Sequence, residues 1–192
     1  MKRLGTHQRP DPRRRAAVVA TLGLPALVGT SLSGCMAGPS ADRQLSFLTL
    51  DAAEKELGFL AQSGALRSDA VWSWAQTLAH CAQSIEYSMT GYPASRSALF
   101  QRTVGSAALD FFAWRGRMTH DLSEPIPGAP SLPATSDAAA ALHRLRTAIE
   151  SFRAWSHPLL PHFAYGALSK GEYEVAHAMH LAEHLSHFAP AG

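Results

Sequence analysis

The stretch Ser169-Lys170-Gly171-Glu172-Tyr173-Glu174-Val175-Ala176-His177-Ala178-Met179-His180-Leu181-Ala182-Glu183-His184-Leu185-Ser186-His187-Phe188 decides the fold class and shows where to look for chemistry. Ser169 with Glu172 three residues later forms a capping-box pattern, which predicts a helix running to about Phe188. On a helical wheel Tyr173, His177, His180, His184 and His187 fall within an arc of about 80°. Val175, Ala178, Leu181, Ala182 and Leu185 lie across the other side, so one face is apolar and the other is imidazole. Two histidines at i and i+4 can reach one metal ion, as in zinc-binding helices. The competing reading is a solvated polar face that uses histidine.

Working outward, Ser73 with Gln76 opens a second predicted helix from Trp74 to Met89, closed by Gly91 and Pro93. Asp51 with Glu54 marks an earlier helix that ends near Gly64, and Ser97 to Trp114 is a further amphipathic segment. His120 to Thr135 holds four prolines and predicts an irregular connection. Ser136 or Asp137 then caps an Ala-rich helix to about Trp155. No alternating strand pattern and no internal repeat is present. The expected class is all-α: one domain over 45–192, a four-helix bundle with a long crossover, containing an extra helix, between its second and third helices.

In the second helix Trp74, Leu78, Ala82, Ile85 and Met89 form an apolar stripe. His80 points about 160° away from Ala82, on a face shared with Thr77, Ser84 and Tyr87. Cys81 lies toward the apolar side and reads as a buried structural thiol rather than a nucleophile. His120-Asp121, in the proline-rich connection, could reach over the mouth of a pocket, with a surface loop pair the simpler expectation; His143, His157 and His162 read as surface or loop-packing residues, and Trp72, Trp74, Trp114 and Trp155 as core and cap packing.

The N-terminus has its own logic. Lys2, Arg3, Arg9 and Arg13-Arg14-Arg15 precede a mildly apolar segment from Ala16 to Leu32, the pattern of a signal peptide. Leu32-Ser33-Gly34-Cys35 resembles a bacterial lipobox, so the expectation is cleavage after residue 34, lipid on Cys35 and a tether over 35–44. The resulting envelope lipoprotein would face the periplasm, on the outer membrane if the host is Gram-negative. The paired arginines resemble a twin-arginine export signal, with Sec export the alternative. Six of the 17 basic and one of the 15 acidic residues lie within 1–34, leaving a formal net charge of −3 beyond them. The basic balance therefore belongs to the leader and gives no reason to expect nucleic acid as a partner.

The stretches Leu78-Ala79-His80-Cys81-Ala82-Gln83-Ser84-Ile85-Glu86-Tyr87-Ser88-Met89, Ser97-Ala98-Leu99-Phe100-Gln101-Arg102, Glu124-Pro125-Ile126-Pro127-Gly128-Ala129-Pro130, and Pro161-His162-Phe163 with Gly166-Ala167-Leu168-Ser169 are similar to a branch of the DinB/YfiT-like metalloenzyme superfamily, domain of unknown function 1569. The resemblance covers nearly all of the chain after Leu45. It implies an up-down-down-up bundle and a three-histidine metal site on His80, His180 and His184, with no substrate specified. Ser84, Tyr87, Tyr173, His177 and His187 are then expected near the open side of that site.

Three neutral imidazoles leave a coordination position for water or substrate, a catalytic stoichiometry. Zinc is the preferred ion, with nickel and iron also suited to imidazole. His180-Leu181-Ala182-Glu183-His184 spells H-x-x-E-H, but only eight residues follow His184, too few to supply the further ligand of that protease class. Glu183 remains a candidate general base. The chain contains no G-x-S-x-G elbow, P-loop or dinucleotide fingerprint. Two function classes follow: a metal-dependent hydrolase or transferase acting on a small molecule, or a non-catalytic metal- or ligand-binding envelope protein. The oligomeric state is left open, a dimer included.

Overall fold

A computed structural model describes residues 42–134 and 137–191. The leader, Arg13, Arg14, Arg15, Cys35 and Ser136 lie outside the described residues. The elements are helices α1 (Leu50–Gln62) and α2 (Trp74–Thr90), a short α3 (Ala98–Phe100) that runs through a π-helical turn (Gln101–Gly105) into α4 (Ser106–Arg115), then α5 (Ala138–Ala154) and α6 (Lys170–Leu185). The protein is predominantly helical, as expected.

Local chemistry sets most boundaries. Ser73 and Ser169 make reciprocal capping boxes with Gln76 and Glu172, and Asp137 accepts from the Ala139 amide. The predicted Asp51–Glu54 box is replaced, because Thr49 caps α1 through the Ala52 amide. Asp51 and Glu54 instead both pair with Arg153 of α5. Helix α6 stops at Leu185, short of the expected Phe188, and just beyond it the Ser186 hydroxyl donates to the Ala182 carbonyl.

The core is built from Leu50, Leu57, Leu60, Leu78, Ile85, Leu145, Ile149, Phe152, Leu181 and Leu185, all of them essentially inaccessible to solvent. Burying side chains of this size is worth about 1.5–3 kcal/mol each before entropy is charged against it. Helix α2 packs on α5 and α6, and α1 on α6. Two departures from the sequence expectation stand out. Leu66–Ser68 (β1) pairs antiparallel with Phe188–Pro190 (β2), a two-stranded sheet of three residues each. Trp114, expected as packing, is 82 % exposed.

The 91–137 crossover matters most for the site. Gly116, in the left-handed region at φ 74°, ends α4 and turns the chain inward. Met118 then anchors against Leu109, Ala176 and Met179, carrying the following loop toward α6. A Cβ on Gly105 would lie 2.0 Å from the Ala164 carbonyl oxygen, so only glycine lets the π turn close against the loop around His162.

Candidate metal centre

Helix α2 contributes His80, α6 contributes His180 and His184 one turn apart, and the crossover adds His120. The ligand atoms of all four lie within 4.8 Å of one another. His80 Nε2 is 3.2 Å from His180 Nε2, His180 Nε2 is 3.1 Å from His184 Nε2, and His184 Nε2 is 3.2 Å from His120 Nε2. Metal–nitrogen bonds of 2.0–2.1 Å place tetrahedral ligand nitrogens about 3.3 Å apart, close to these spacings.

Hydrogen bonding alone does not account for the arrangement. A ring nitrogen carries either one N–H or one in-plane lone pair. His180 Nε2 and His184 Nε2 each sit in two of the three contacts, so at most two contacts can be ordinary hydrogen bonds at once. A cation among the four nitrogens accounts for close contacts that hydrogen bonds cannot all satisfy. The protonation states suit that role: burial, then repulsion from His120, lowers the His80 pKa to about 3, and burial lowers that of His120 to about 4. Burial and the neighbouring imidazoles push His180 and His184 well below the usual histidine range. All four are thus neutral at pH 7, the form in which histidine binds metals.

Packing orients the rings more than polar contacts do. His80 Nδ1 and His120 Nδ1 have no hydrogen-bond partner among the described residues. Trp72 lies 4.7 Å from the His80 ring and stacks parallel to His184 at 6.1 Å. At His80 this packing stands where metal-binding imidazoles commonly make an outer hydrogen bond.

A cavity of about 260 Å³ opens beside the cluster, with His80, His120 and His180 along one part of its wall. Ser84 also lines it, and Phe100, Phe112, Met118, Ile126 and Tyr165 make it largely apolar. Arg96 and Glu124 face each other at 3.8 Å on its rim, both more than half exposed. His162 and His177 complete the wall.

The other sequence-derived candidates are placed differently. Tyr173 is fully buried and its hydroxyl donates to the Leu160 carbonyl at 2.6 Å. Tyr87 is half-buried against Tyr92. His187 lies beyond the end of α6 and pairs through Nδ1 with Asp69 at 2.9 Å. None of these three lines the cavity. Glu183 is buried away from it, its carboxyl raised by burial and opposed by Arg117 and His187. Cys81 is a buried free thiol, which burial pushes up.

The sequence did not mark His120 as a ligand: it allowed a residue reaching over the pocket mouth, with a surface loop pair the simpler expectation, whereas the ring joins the cluster itself. A single histidine in an aperiodic, proline-rich segment carries no spacing signal. Its recruitment depends on Gly116 and on the anchoring of Met118. His162, read as surface or loop packing, is also buried on the cavity wall.

The model of the family described as Protein of unknown function (DUF1569) matches residues 40–191, and the chain belongs to that family. No curated protein and no solved structure matches the chain.

Proposed function

From a family of unknown function and a cluster of four converging imidazoles, we propose a metal-dependent enzyme that carries out hydrolysis or group transfer on a small molecule. The observation that carries this reading is the convergence of four neutral Nε2 atoms at the wall of an apolar cavity. A divalent ion bound there supplies Lewis-acid polarisation of a bound oxygen or sulfur. The protein's own residues do the rest. Trp72 holds the rings, and the apolar wall excludes water and orients the substrate body. Zinc is the preferred ion, with nickel or iron as alternatives. The long helices α1, α2, α5 and α6 are read as the up-down-down-up bundle of the DinB-like superfamily, supported by their common core and the long 91–137 crossover.

The fourth imidazole favours a second reading. Four histidines complete a tetrahedral zinc site, which is a closed, structural stoichiometry. In that case the protein binds metal without turnover, unless His120 yields its position to substrate or the ion accepts more than four ligands. The deciding experiment compares chelator-stripped and zinc-, nickel- or iron-reloaded protein on a panel of esters, amides and thiol acceptors. Turnover that requires metal and vanishes in His180→Ala supports the enzyme. Stoichiometric metal with no turnover on any substrate supports the binding protein.

We also read the chain as an envelope lipoprotein, on the Arg13-Arg14-Arg15 leader and the lipobox ending at Cys35. Metabolic labelling with a fatty-acid analogue should mark the wild type and not Cys35→Ser. Unlabelled, fully soluble wild-type protein would contradict this.

A further inference from the structure

One helix face of the molecule is both apolar and exposed. Leu99, Thr103, Ala107, Phe111 and Trp114 recur at spacings of four and three residues along α3, the π turn and α4, which keeps them on one side of a continuous helix. All five are exposed, Leu99 by 69 %, Phe111 by 49 % and Trp114 by 82 %. The Phe111 and Trp114 rings lie 5.9 Å apart and form the widest part of the stripe. The other side of the same helix is apolar as well, with Leu109 buried and Phe112 on the cavity wall. A helix at the surface of a soluble domain normally turns a charged face to water, yet Arg102, Asp110 and Arg115 are the only charged residues from Ser97 to Gly116. A contiguous exposed patch with large aromatic rings marks contact with a membrane or a protein.

What meets this face follows from where the chain enters the domain. Gln44 Oε1 accepts from the Arg117 guanidinium at 3.1 Å, and the Ser46 hydroxyl donates to the Gly116 carbonyl at 2.6 Å. The entering segment is thereby fastened two and three positions beyond Trp114. Seven residues separate Cys35 from Asp42, a reach of at most about 25 Å. A lipid on Cys35 therefore holds the Trp114 end of the helix close to the bilayer. Tryptophan suits that depth, because its ring is apolar and its N–H still finds a partner among headgroups. Two arginines and one aspartate give the segment a formal charge of +1, so the contact does not depend on anionic lipid. Among the described residues no helix is long and apolar enough to cross a membrane, so this one lies on the surface and not through it.

We infer that the exposed face of α3 and α4, centred on Phe111 and Trp114, rests on the lipid bilayer that the tether reaches. Phe100 and Val104, also exposed, line the cavity too, so the contact sets the cavity edge beside the lipid. The inference rests on the lipoprotein reading. The test uses the purified full chain in phosphatidylcholine vesicles whose acyl chains carry bromine near the headgroups, with tryptophan emission as the readout. Bromine should quench the wild type, and Trp114→Phe, at a position outside the core, should abolish that quenching. Phe111→Ser should reduce it by about half or more, since it removes the neighbouring apolar anchor. Quenching that is absent, or the same in wild type and Trp114→Phe, overturns the inference. So does a disulfide between two copies of Ala107→Cys on the vesicles, which would put a second copy on this face. Mass spectrometry of the same sample reads the lipid. A chain without it fails the lipoprotein reading instead, and docking is then decided on that chain with vesicles in excess. Quenching abolished by Trp114→Phe supports it there, and no quenching overturns it.

Discussion

Two groups of buried histidines share α6 but are satisfied in opposite ways. In the cluster of His80, His120, His180 and His184 the ring nitrogens face one another at 3.1–3.2 Å. In the His162–His177 pair one nitrogen is committed to loop amides and another is unpaired. Burial removes the charge from both groups, so burial alone does not mark a ligand set. The direction of the nitrogens does. The nitrogens of the cluster converge, whereas in the pair one is bonded to loop amides and another is closed off without a partner among the described residues.

Acid should produce the largest effect, and it acts on both regions. His80, His162 and His177 have native pKa values near 3, against an unfolded value of about 6.5. A lowered native pKa means that the unfolded state takes up the proton first. Stability is therefore complete above about pH 6.5 and falls as pH drops toward 3, by on the order of 1.4 kcal/mol per pH unit for each group. Against a typical domain stability of about 5–15 kcal/mol, metal-free protein should unfold well before pH 3. Circular dichroism against pH checks this, and a flat profile down to pH 3 contradicts it. Zinc should move the midpoint to lower pH through the cluster. His177→Phe should lower it in metal-free protein by removing one of these groups, and this separates the two regions.

Loss of a cluster imidazole should come next. His180→Ala or His184→Ala should weaken metal binding by upwards of about 100-fold, beyond the 10- to 100-fold of losing an outer partner. At fixed metal concentration a 100-fold loss removes about 2.7 kcal/mol of metal-linked stability. Calorimetric titration and melting with and without metal read both quantities. The same substitutions at His162 and His177 should leave metal affinity within a few-fold.

His120→Ala sharpens the comparison from inside the cluster. A fourth ligand lost should cost about tenfold in affinity while metal is still held by the remaining three, and no change would make the site a three-histidine one. Trp72→Leu should have the smallest effect, a few-fold loss of affinity, since it removes only the packing behind His80 and His184. A loss as large as that of His180→Ala would mean that the rings do not hold their positions without it.

The parts of the fold that were legible in the sequence are those whose signals are local. Ser73–Gln76 and Ser169–Glu172 mark helix starts by chemistry confined to one turn, and 3.6-residue periodicity places His80, His180 and His184 on definite faces. The rest depends on contacts distant in sequence. Asp51 and Glu54 look like a capping pair until Arg153 competes for them. The π turn at Gln101–Gly105 exists where Gly105 meets the Ala164 backbone, 59 positions on. Strands of three residues are too short to show alternation. His120 reaches the cluster only because the chain turns at Gly116 and packs through Met118.

The central claim is that the four imidazoles hold one ion. Elemental analysis of the full chain, purified without a histidine tag or chelator, combined with X-ray absorption at the edge of the metal found, tests it most directly. The account predicts one metal ion per chain, with three or four nitrogen neighbours, at about 2.0–2.1 Å if the metal is zinc. Less than about one-tenth of an equivalent after incubation with zinc, nickel or iron, or a sulfur neighbour near 2.3 Å, would contradict it.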